Sequence, residues 1–205
     1  MRLSLRVIAR ALGILKLRPR FLSFLSKCTI AASMVGLMSG PASHAAGQNN
    51  LAAAVKAAFI LKFGDFVQWP TAALSDAAAF NICVLGADPF HSALDQVVAG
   101  QTIGSHPVVV RRLQALTAND GCQILFVAHG TPQNVSVVFV TLREQPVLII
   151  TDEAEGLDAD GMIHFVIRDG RVRFNIDEDA ADRHGLKISS KLLGVALAVH
   201  RREQP

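Results

Sequence analysis

The chain has 205 residues and a formal net charge of +3, from 20 Lys and Arg against 17 Asp and Glu. The first 45 residues hold seven of the basic residues and none of the acids. Without that segment, 13 basic residues face 17 acidic ones, so residues 46–205 carry a charge of about −4. A domain of this charge lacks the basic surface that nucleic-acid binding requires, which argues against a nucleic-acid partner.

The first 45 residues have the three parts of a secretory signal peptide. A basic region is followed by an apolar run, Cys28–Met38, and then by small residues that predict cleavage after Ala45. The apolar run is too short to span a bilayer, and Lys27 before Cys28 argues against a lipoprotein. We therefore expect a protein that is exported to the periplasm and forms one domain, residues 46–205.

The mature chain is predicted to begin with a helix. Apolar residues recur at helical spacing from about Asn50, and Pro70 is expected to stop the helix. A buried strand, Phe80–Gly86, follows, and then a helix with Asp88 as its N-cap that ends at Gly100. The segments HPVVVRRL and CQILFVA predict two further strands.

The second half of the chain continues this alternation. TPQNVSVVFVTLREQ predicts a helix capped by Thr131, and PVLIITD predicts a buried strand. MIHFVIRDGRVRFNI predicts two strands joined by a tight turn at Asp169-Gly170, and a helix over Ser189–Val199 closes the chain. The order indicates an α/β fold with a mostly parallel sheet, helices on both faces and the C-terminal β-hairpin at one edge.

Two cysteines lie beyond the predicted signal peptide, Cys83 and Cys122, 39 positions apart. In an oxidising compartment such a pair predicts a disulfide. Closing a loop of this length stabilises a fold by about 4 kcal/mol in the chain-entropy treatment. The alternative is two buried, reduced thiols.

Ser189, Ser190 and Lys191 raise the question of a serine–lysine active site. On a helix such a pair needs a spacing of three residues, whereas here Lys191 follows Ser190 directly. Either serine is better placed as the N-cap of the closing helix, where its hydroxyl would accept an unpaired backbone N–H. The sequence therefore predicts a helix cap and no catalytic residues.

The acidic segments are weak metal sites. Asp177 and Asp179 match part of a calcium-loop pattern that Ala181 breaks, and DADG at 158–161 is an equally partial match. The histidines have no metal-ligand spacing. The prediction is therefore no metal and no cofactor.

A ligand or partner is predicted to contact residues from three places in the chain. Gly86 lies in a turn between a strand and a helix N-terminus, where open α/β sheets often bind small anions, and a plain strand-to-helix turn is the favoured alternative. For Trp69, the only tryptophan, core packing is the alternative to a binding role. A site built from distant residues, such as His129 with Asp152, is the remaining enzymatic alternative. The full set of ligand or partner residues is Phe66, Trp69, Gly86, Asp88, Arg171 and Arg173.

Three segments of the chain resemble YfiR-like proteins. They are KAAFILKFGDFVQWP at 56–70, the hairpin MIHFVIRDGRVRFNID at 162–177 and GLKISSKLLGVALAV at 185–199. The resemblance extends from about Leu51 to His200, with the three segments in the same order and at matching separations.

The resemblance also concerns the cysteines. The Cys83–Cys122 pair is similar to a disulfide of that family. Some members have a second pair, at positions that correspond to Leu157 and His164 of this chain. This chain therefore lacks the second bridge and any redox role that depends on it.

The resemblance implies a regulatory role. YfiR-like proteins bind the periplasmic domain of an inner-membrane diguanylate cyclase and hold it inactive, which lowers cyclic di-GMP and limits biofilm formation. An outer-membrane lipoprotein can sequester them, and they form homodimers. The expected function is therefore that of a periplasmic repressor without enzymatic activity. The alternative is a periplasmic small-ligand sensor, with a pocket near Gly86–Phe90, that acts on another membrane receptor.

Overall fold

The computed structural model describes residues 42–74, 79–152 and 161–201, with side chains from Gly47 onward. Most of the predicted signal peptide lies outside the described residues, as do Leu157 and most of the DADG segment. The helices are α1 (Ala42–Phe66), α2 (Ser92–Val98), α3 (Val135–Leu142), α4 (Glu178–Arg183) and α5 (Ser190–Leu193), with a 3-10 turn at Thr71–Ala73. The strands are β1 (Val67–Gln68), β2 (Phe80–Leu85), β3 (Thr102–Ile103), β4 (His106–Leu113), β5 (Ile124–Val127), β6 (Leu148–Asp152), β7 (Ile163–Arg168), β8 (Arg171–Asp177), β9 (Lys187–Ile188) and β10 (Ala198–His200).

The centre of the fold is an eight-stranded sheet with the order β10-β8-β7-β6-β5-β2-β4-β3. The pairs β4–β2, β2–β5, β5–β6 and β6–β7 are parallel. Strands β7 and β8 form the antiparallel hairpin, and β10 pairs in parallel with the outer side of β8. The predicted α/β fold with a mostly parallel sheet is confirmed, and β8 and β10 form the strand pair at one edge.

Helices cover the sheet because its middle strands are apolar on both faces. Every residue of β5 is buried, as is every residue of β6 except Asp152. The chain leaves β2 toward β4 on one side and β5 toward β6 on the other, so right-handed crossovers place α2 and α3 on opposite faces. Helix α1 packs beside α2.

Helix α1 buries one face of its C-terminal half against the sheet, with apolar side chains at helical spacing. It ends at Phe66, before the predicted stop at Pro70, because Val67 and Gln68 leave the helix to pair with β9. The buried residues of this face are Ala57, Ile60, Leu61 and Phe63.

The predicted starts of α2 and α3 are both wrong by three residues. The Asp88 carboxylate accepts the N–H of Phe90 and closes a turn, and α2 begins only at Ser92. Helix α3 begins at Val135, with the Asn134 side chain as the cap.

The predicted helix over Ser189–Val199 begins as expected, with Ser189 as its N-cap, but its predicted end is wrong. Helix α5 ends at Leu193, where Gly194 disfavours continuation, and the Leu197 N–H donates to the Phe174 carbonyl. The chain then forms β10 along β8, which would otherwise be an edge strand with unpaired backbone groups.

Cys83 and Cys122 form the predicted disulfide, with their Cα atoms 5.8 Å apart. Cys83 lies in β2, and Cys122 lies two residues before the neighbouring strand β5. Both cysteines are buried, and the Asn81 side chain donates to the Gly121 carbonyl nearby. The bridge therefore fastens the loop that enters β5 to the middle of the sheet.

Candidate functional site

A groove of about 580 Å³ lies between the N-terminal part of α1 and the tip of the β7–β8 hairpin. We call it the α1–hairpin groove. Three large apolar side chains are exposed at it, with exposed fractions of 67% for Leu51, 36% for Val55 and 53% for Ile167. Phe59 and Val172 add further apolar surface, and Arg171 is the one charged residue of the described lining. The polar residues Gln48 and Asn49 also line the groove, at the α1 side.

The alternation of side chains in the hairpin explains why the groove is apolar. Phe165 and Phe174 are register partners, and both pack on α1, where Phe63 lies 5.8 Å and 5.0 Å from their ring centroids. The next register pair on the same face is Ile167 with Val172, two residues farther from the core. Period-2 alternation thus continues the core-facing pattern to the hairpin tip, where no described element covers Ile167.

Of the cations at or beside the groove, Lys56 has an ion-pair partner, whereas Arg171 has none among the described residues. The Lys56 ammonium lies 2.6 Å from the Asp152 carboxylate, and both side chains are mostly buried. Arg171, in contrast, makes no ion pair or side-chain hydrogen bond with any described residue. Within the described part of the chain, the groove therefore combines exposed hydrocarbon with one cation, Arg171, that forms no ion pair.

Of the predicted ligand residues Gly86 and Asp88, Asp88 pairs with a cation of the chain itself, Arg112. Arg112 donates to the Asp88 carboxylate at 2.7 Å, to the Asp95 carboxylate at 2.6 Å and to the His91 carbonyl at 2.9 Å. The hydrogen bond from Arg112 lowers the pKa of Asp95, and the two carboxylates, Asp95 first, raise the pKa of Arg112. Asp88 therefore serves here as an internal ion-pair partner.

The segment after β5 closes the turn at Gly86. Gly86 has a φ of +90°, and a Cβ added there would lie 3.0 Å from the Cα of Thr131. The Thr131 hydroxyl is buried and has no hydrogen-bond partner among the described residues, and its position against Gly86 explains why it does not cap α3.

The aromatic residues at the end of α1 serve packing. The Trp69 ring meets the Phe80 ring edge-to-face at a centroid distance of 5.0 Å. Phe66 packs against the core, and its carbonyl accepts the N–H of Ser189. Arg173 is exposed on β8 and makes no ion pair within the described part of the chain.

The Ser189 hydroxyl accepts the backbone N–H of Leu192 at 3.3 Å, so this side chain caps α5. Ser190 is the first residue of the helix and is exposed, as is Lys191. Across the ranges that the structure describes, no group of three or more His, Cys, Asp or Glu side chains could hold a metal ion.

A comparison with protein-family models matches residues 53–197 to a family described as YfiR/HmsC-like. The match covers more than half of the chain and includes all three segments on which the resemblance rests. The chain belongs to the YfiR/HmsC-like family. This family is periplasmic and regulatory rather than catalytic, and it links the chain to the control of a diguanylate cyclase system. No curated protein matches the chain.

The resemblance to YfiR-like proteins implies that His164 stands at one position of the second cysteine pair found in some members. Here the imidazole Nδ1 lies 2.7 Å from the Thr151 hydroxyl, which is 1% exposed, on the neighbouring strand β6. A hydrogen bond between two side chains thus joins β6 and β7 at this position.

No helix in the described ranges is long and apolar enough to cross a membrane.

Sequence reasoning missed a second charged cavity of this YfiR/HmsC-like protein. It has a volume of about 530 Å³ and lies between α3 and the end of α4. Arg143 and Arg183 line it, together with His184. The arginines are 40 positions apart in the sequence, so no local motif relates them.

Proposed function

We propose that this protein binds the periplasmic domain of an inner-membrane diguanylate cyclase and holds the cyclase inactive, which lowers cyclic di-GMP and limits biofilm formation. Membership of the YfiR/HmsC-like family, over residues 53–197, is the observation that carries this proposal. The predicted signal peptide supports it, because export would bring the chain to the same compartment as its target. The Cys83–Cys122 disulfide is also in keeping with an oxidising compartment.

The α1–hairpin groove is the surface that we assign to the cyclase. Leu51, Val55 and Ile167 present hydrocarbon that a partner could remove from water, which is the main favourable contribution to most protein association. Arg171 supplies one cation at the edge of that hydrocarbon, where a carboxylate of the partner would be steered and aligned. A core of large apolar side chains with few charges, surrounded by a polar rim, is typical of specific interfaces.

Repression requires that the protein bind the inactive cyclase more tightly than the active one. A difference of about 1.4 kcal/mol between the two affinities shifts the equilibrium of the cyclase tenfold. A partner helix or loop that fills the groove in only one cyclase conformation would supply such a difference.

Two further features belong to the same proposal. A homodimer is the expected assembly, and an outer-membrane lipoprotein that competes for the protein would relieve repression by mass action. Light scattering of the purified protein tests the first feature. Co-purification with envelope lipoproteins from cells tests the second.

The first experiment measures cellular cyclic di-GMP in a strain that lacks the protein. Complementation uses the full chain in one strain and a copy without residues 1–45 in another. We expect cyclic di-GMP to rise on deletion and to return to its normal level only with the exported copy. Unchanged cyclic di-GMP on deletion would contradict the repressor function.

The second experiment tests the groove with Leu51→Glu and Ile167→Glu. Both side chains are exposed, so the charge should leave the fold intact while it opposes burial in an interface. The matched control is Val195→Glu, at a valine that is 60% exposed outside the groove. We expect the two groove variants to lose repression and the control to retain it. If all three repress as wild type does, the cyclase binds elsewhere.

The disulfide supplies a third test of the same function. If the bridge shapes the surface that binds the cyclase, a Cys83→Ser variant should repress poorly. A variant that folds and represses as well as wild type contradicts this role of the bridge.

A further inference from the structure

Among the described residues, cations, apolar groups and one serine line the cavity between α3 and α4, and no acid does. Ser136, Phe139, Val140 and Arg143 face it from α3, at the spacing of one helix face. Arg183 and His184 face it from the end of α4. The six lining residues include no Asp or Glu, although the mature chain carries more acids than bases.

The two arginines of the cavity have no counter-charge. Neither guanidinium makes an ion pair or a side-chain hydrogen bond with a residue that the structure describes. Two acids are next to the arginines in the sequence: Asp182 pairs with Lys187, and Glu144 lines an adjoining cavity that Arg183 also lines, without forming an ion pair there among the described residues. Two like charges that share a cavity repel each other, and a bound anion would relieve that repulsion.

His184 is held in place beside the arginines. Its Nδ1 lies 2.8 Å from the Gln145 carbonyl oxygen. Because a carbonyl oxygen can only accept, Nδ1 carries the proton and donates it. Nε2 is therefore the ring nitrogen that is left to interact with a ligand.

The two apolar residues that line the cavity favour a ligand with an apolar part. Phe139 is partly buried and packs on the core, while Val140 is 65% exposed. A β-branched residue this exposed on a short helix gains nothing from the fold itself, but it would gain from contact with an apolar group. A cavity of about 530 Å³ is in the size range of small-molecule sites.

We propose that the α3–α4 cavity is a binding site for a small organic carboxylate that bears a ring or a hydrocarbon chain. The planar guanidinium groups of Arg143 and Arg183 would hold the carboxylate, because their paired N–H groups match its two oxygens. Phe139 and Val140 would contact the apolar part, and the Ser136 hydroxyl would add a hydrogen bond. The inference stands apart from cyclase repression, since it uses none of the residues of the α1–hairpin groove.

The test is isothermal titration calorimetry of the exported protein with three probes. Phenylacetate carries both features, 2-phenylethanol keeps the ring without the charge, and inorganic phosphate keeps the charge without the ring. We expect phenylacetate to bind with a dissociation constant of about 1 mM or below. Each of the other two probes should bind at least about tenfold more weakly.

The variants Arg143→Ala and Arg183→Ala should each weaken phenylacetate about tenfold or more, because each removes one charge-assisted contact. Lys191→Ala, which removes an exposed cation outside the cavity, is the matched control and should bind as wild type does. Backbone amide shifts in NMR spectra should move at Ser136 and His184, and thermal melting should show that the variants fold.

Several results would overturn the site. These are phenylacetate binding that both arginine variants retain, amide shifts confined to other parts of the protein, or no phenylacetate binding at all. Phosphate or 2-phenylethanol that binds as tightly as phenylacetate would overturn the assigned ligand class. None of these outcomes bears on cyclic di-GMP, so the two proposals fail separately.

Discussion

The Cys83–Cys122 bridge permits a quantitative prediction about stability. The disulfide closes a loop of 39 positions, which corresponds to about 4 kcal/mol of stabilisation when the loss of unfolded-state entropy is the cause. For a domain of this size, each kcal/mol shifts the melting temperature by about 2–4 °C. Breaking the bridge should therefore lower the melting temperature by about 8–16 °C.

The best perturbation is reduction of the wild-type protein, because it breaks the cross-link and keeps both buried sulfur atoms in place. The variant C83A/C122A breaks the link and also removes those sulfurs, which are almost fully buried. We expect the double variant to be less stable than reduced wild type by a further cavity contribution of about 1 kcal/mol or more. It should also be indifferent to the reducing agent.

Urea unfolding, followed by circular dichroism with and without reductant, measures both effects. With a slope of about 2 kcal/mol per molar urea, the midpoint of reduced wild type should fall by roughly 2 M. If reduced and oxidised wild type differ by less than about 1 kcal/mol, the entropic reasoning is wrong. The loop from β2 to β5 would then be ordered in the unfolded protein, or local strain would offset the gain.

Three further predictions follow from individual contacts. Ser189→Ala should lower the free energy of unfolding, measured in urea, by about 1 kcal/mol, because it removes the cap of α5. Ser190→Ala is the control and should change this free energy by less than half as much. Equal effects of the two variants would mean that capping is not the cause. Lys56→Met should lower the free energy of unfolding by about 1–3 kcal/mol, because it leaves the mostly buried Asp152 carboxylate without its partner. The double variant with Asp152→Asn should recover part of this loss, and no recovery would show that the two groups do not interact. Arg112 lowers the pKa of Asp95 in the folded protein. Their contact therefore stabilises the fold at pH values above the pKa of Asp in the unfolded chain, about 3.9, and this stabilisation is lost as the pH falls through the lower pKa of the folded protein. The stability difference between wild type and Arg112→Ala should therefore be constant from pH 7 to 5 and should shrink below pH 4. The Asp95 pair contributes about 1 kcal/mol or less of that difference because it is so exposed, and the contacts to Asp88 and His91 contribute the rest; a difference that grows on acidification would reverse the sign of this argument.

Local signals in the sequence predicted much of the fold. Asp169-Gly170 indicated the hairpin, and both residues have the positive φ values that the turn requires. The apolar runs at β2, β5 and β6 indicated buried parallel strands, because such strands face helices on both sides. These signals span fewer than ten residues, so they can be read without knowing the rest of the chain.

The errors at the helix ends arose where a tertiary contact competed with a local preference. Thr131 is a residue type that often caps helices, but it packs against Gly86, and the Asn134 side chain caps α3. At the C-terminus, helical periodicity continued past Leu193, yet the backbone of β8 was available to pair. A strand that completes a sheet edge satisfies backbone groups that a local helix would leave unpaired on β8.

The candidate sites show the same limit more strongly. Of the six predicted ligand or partner residues, Arg171 lines the α1–hairpin groove, whereas Asp88 binds Arg112 and Trp69 packs on Phe80. In the sequence, Leu51 and Ile167 read as core positions because they continue the core-facing pattern of α1 and β7. The core-facing pattern is correct, but α1 and β7 both extend beyond the part of the sheet that other elements cover. Only the structure shows where that cover ends. An apolar residue becomes a candidate for binding when its periodicity predicts burial and its position leaves it exposed, as at Ile167.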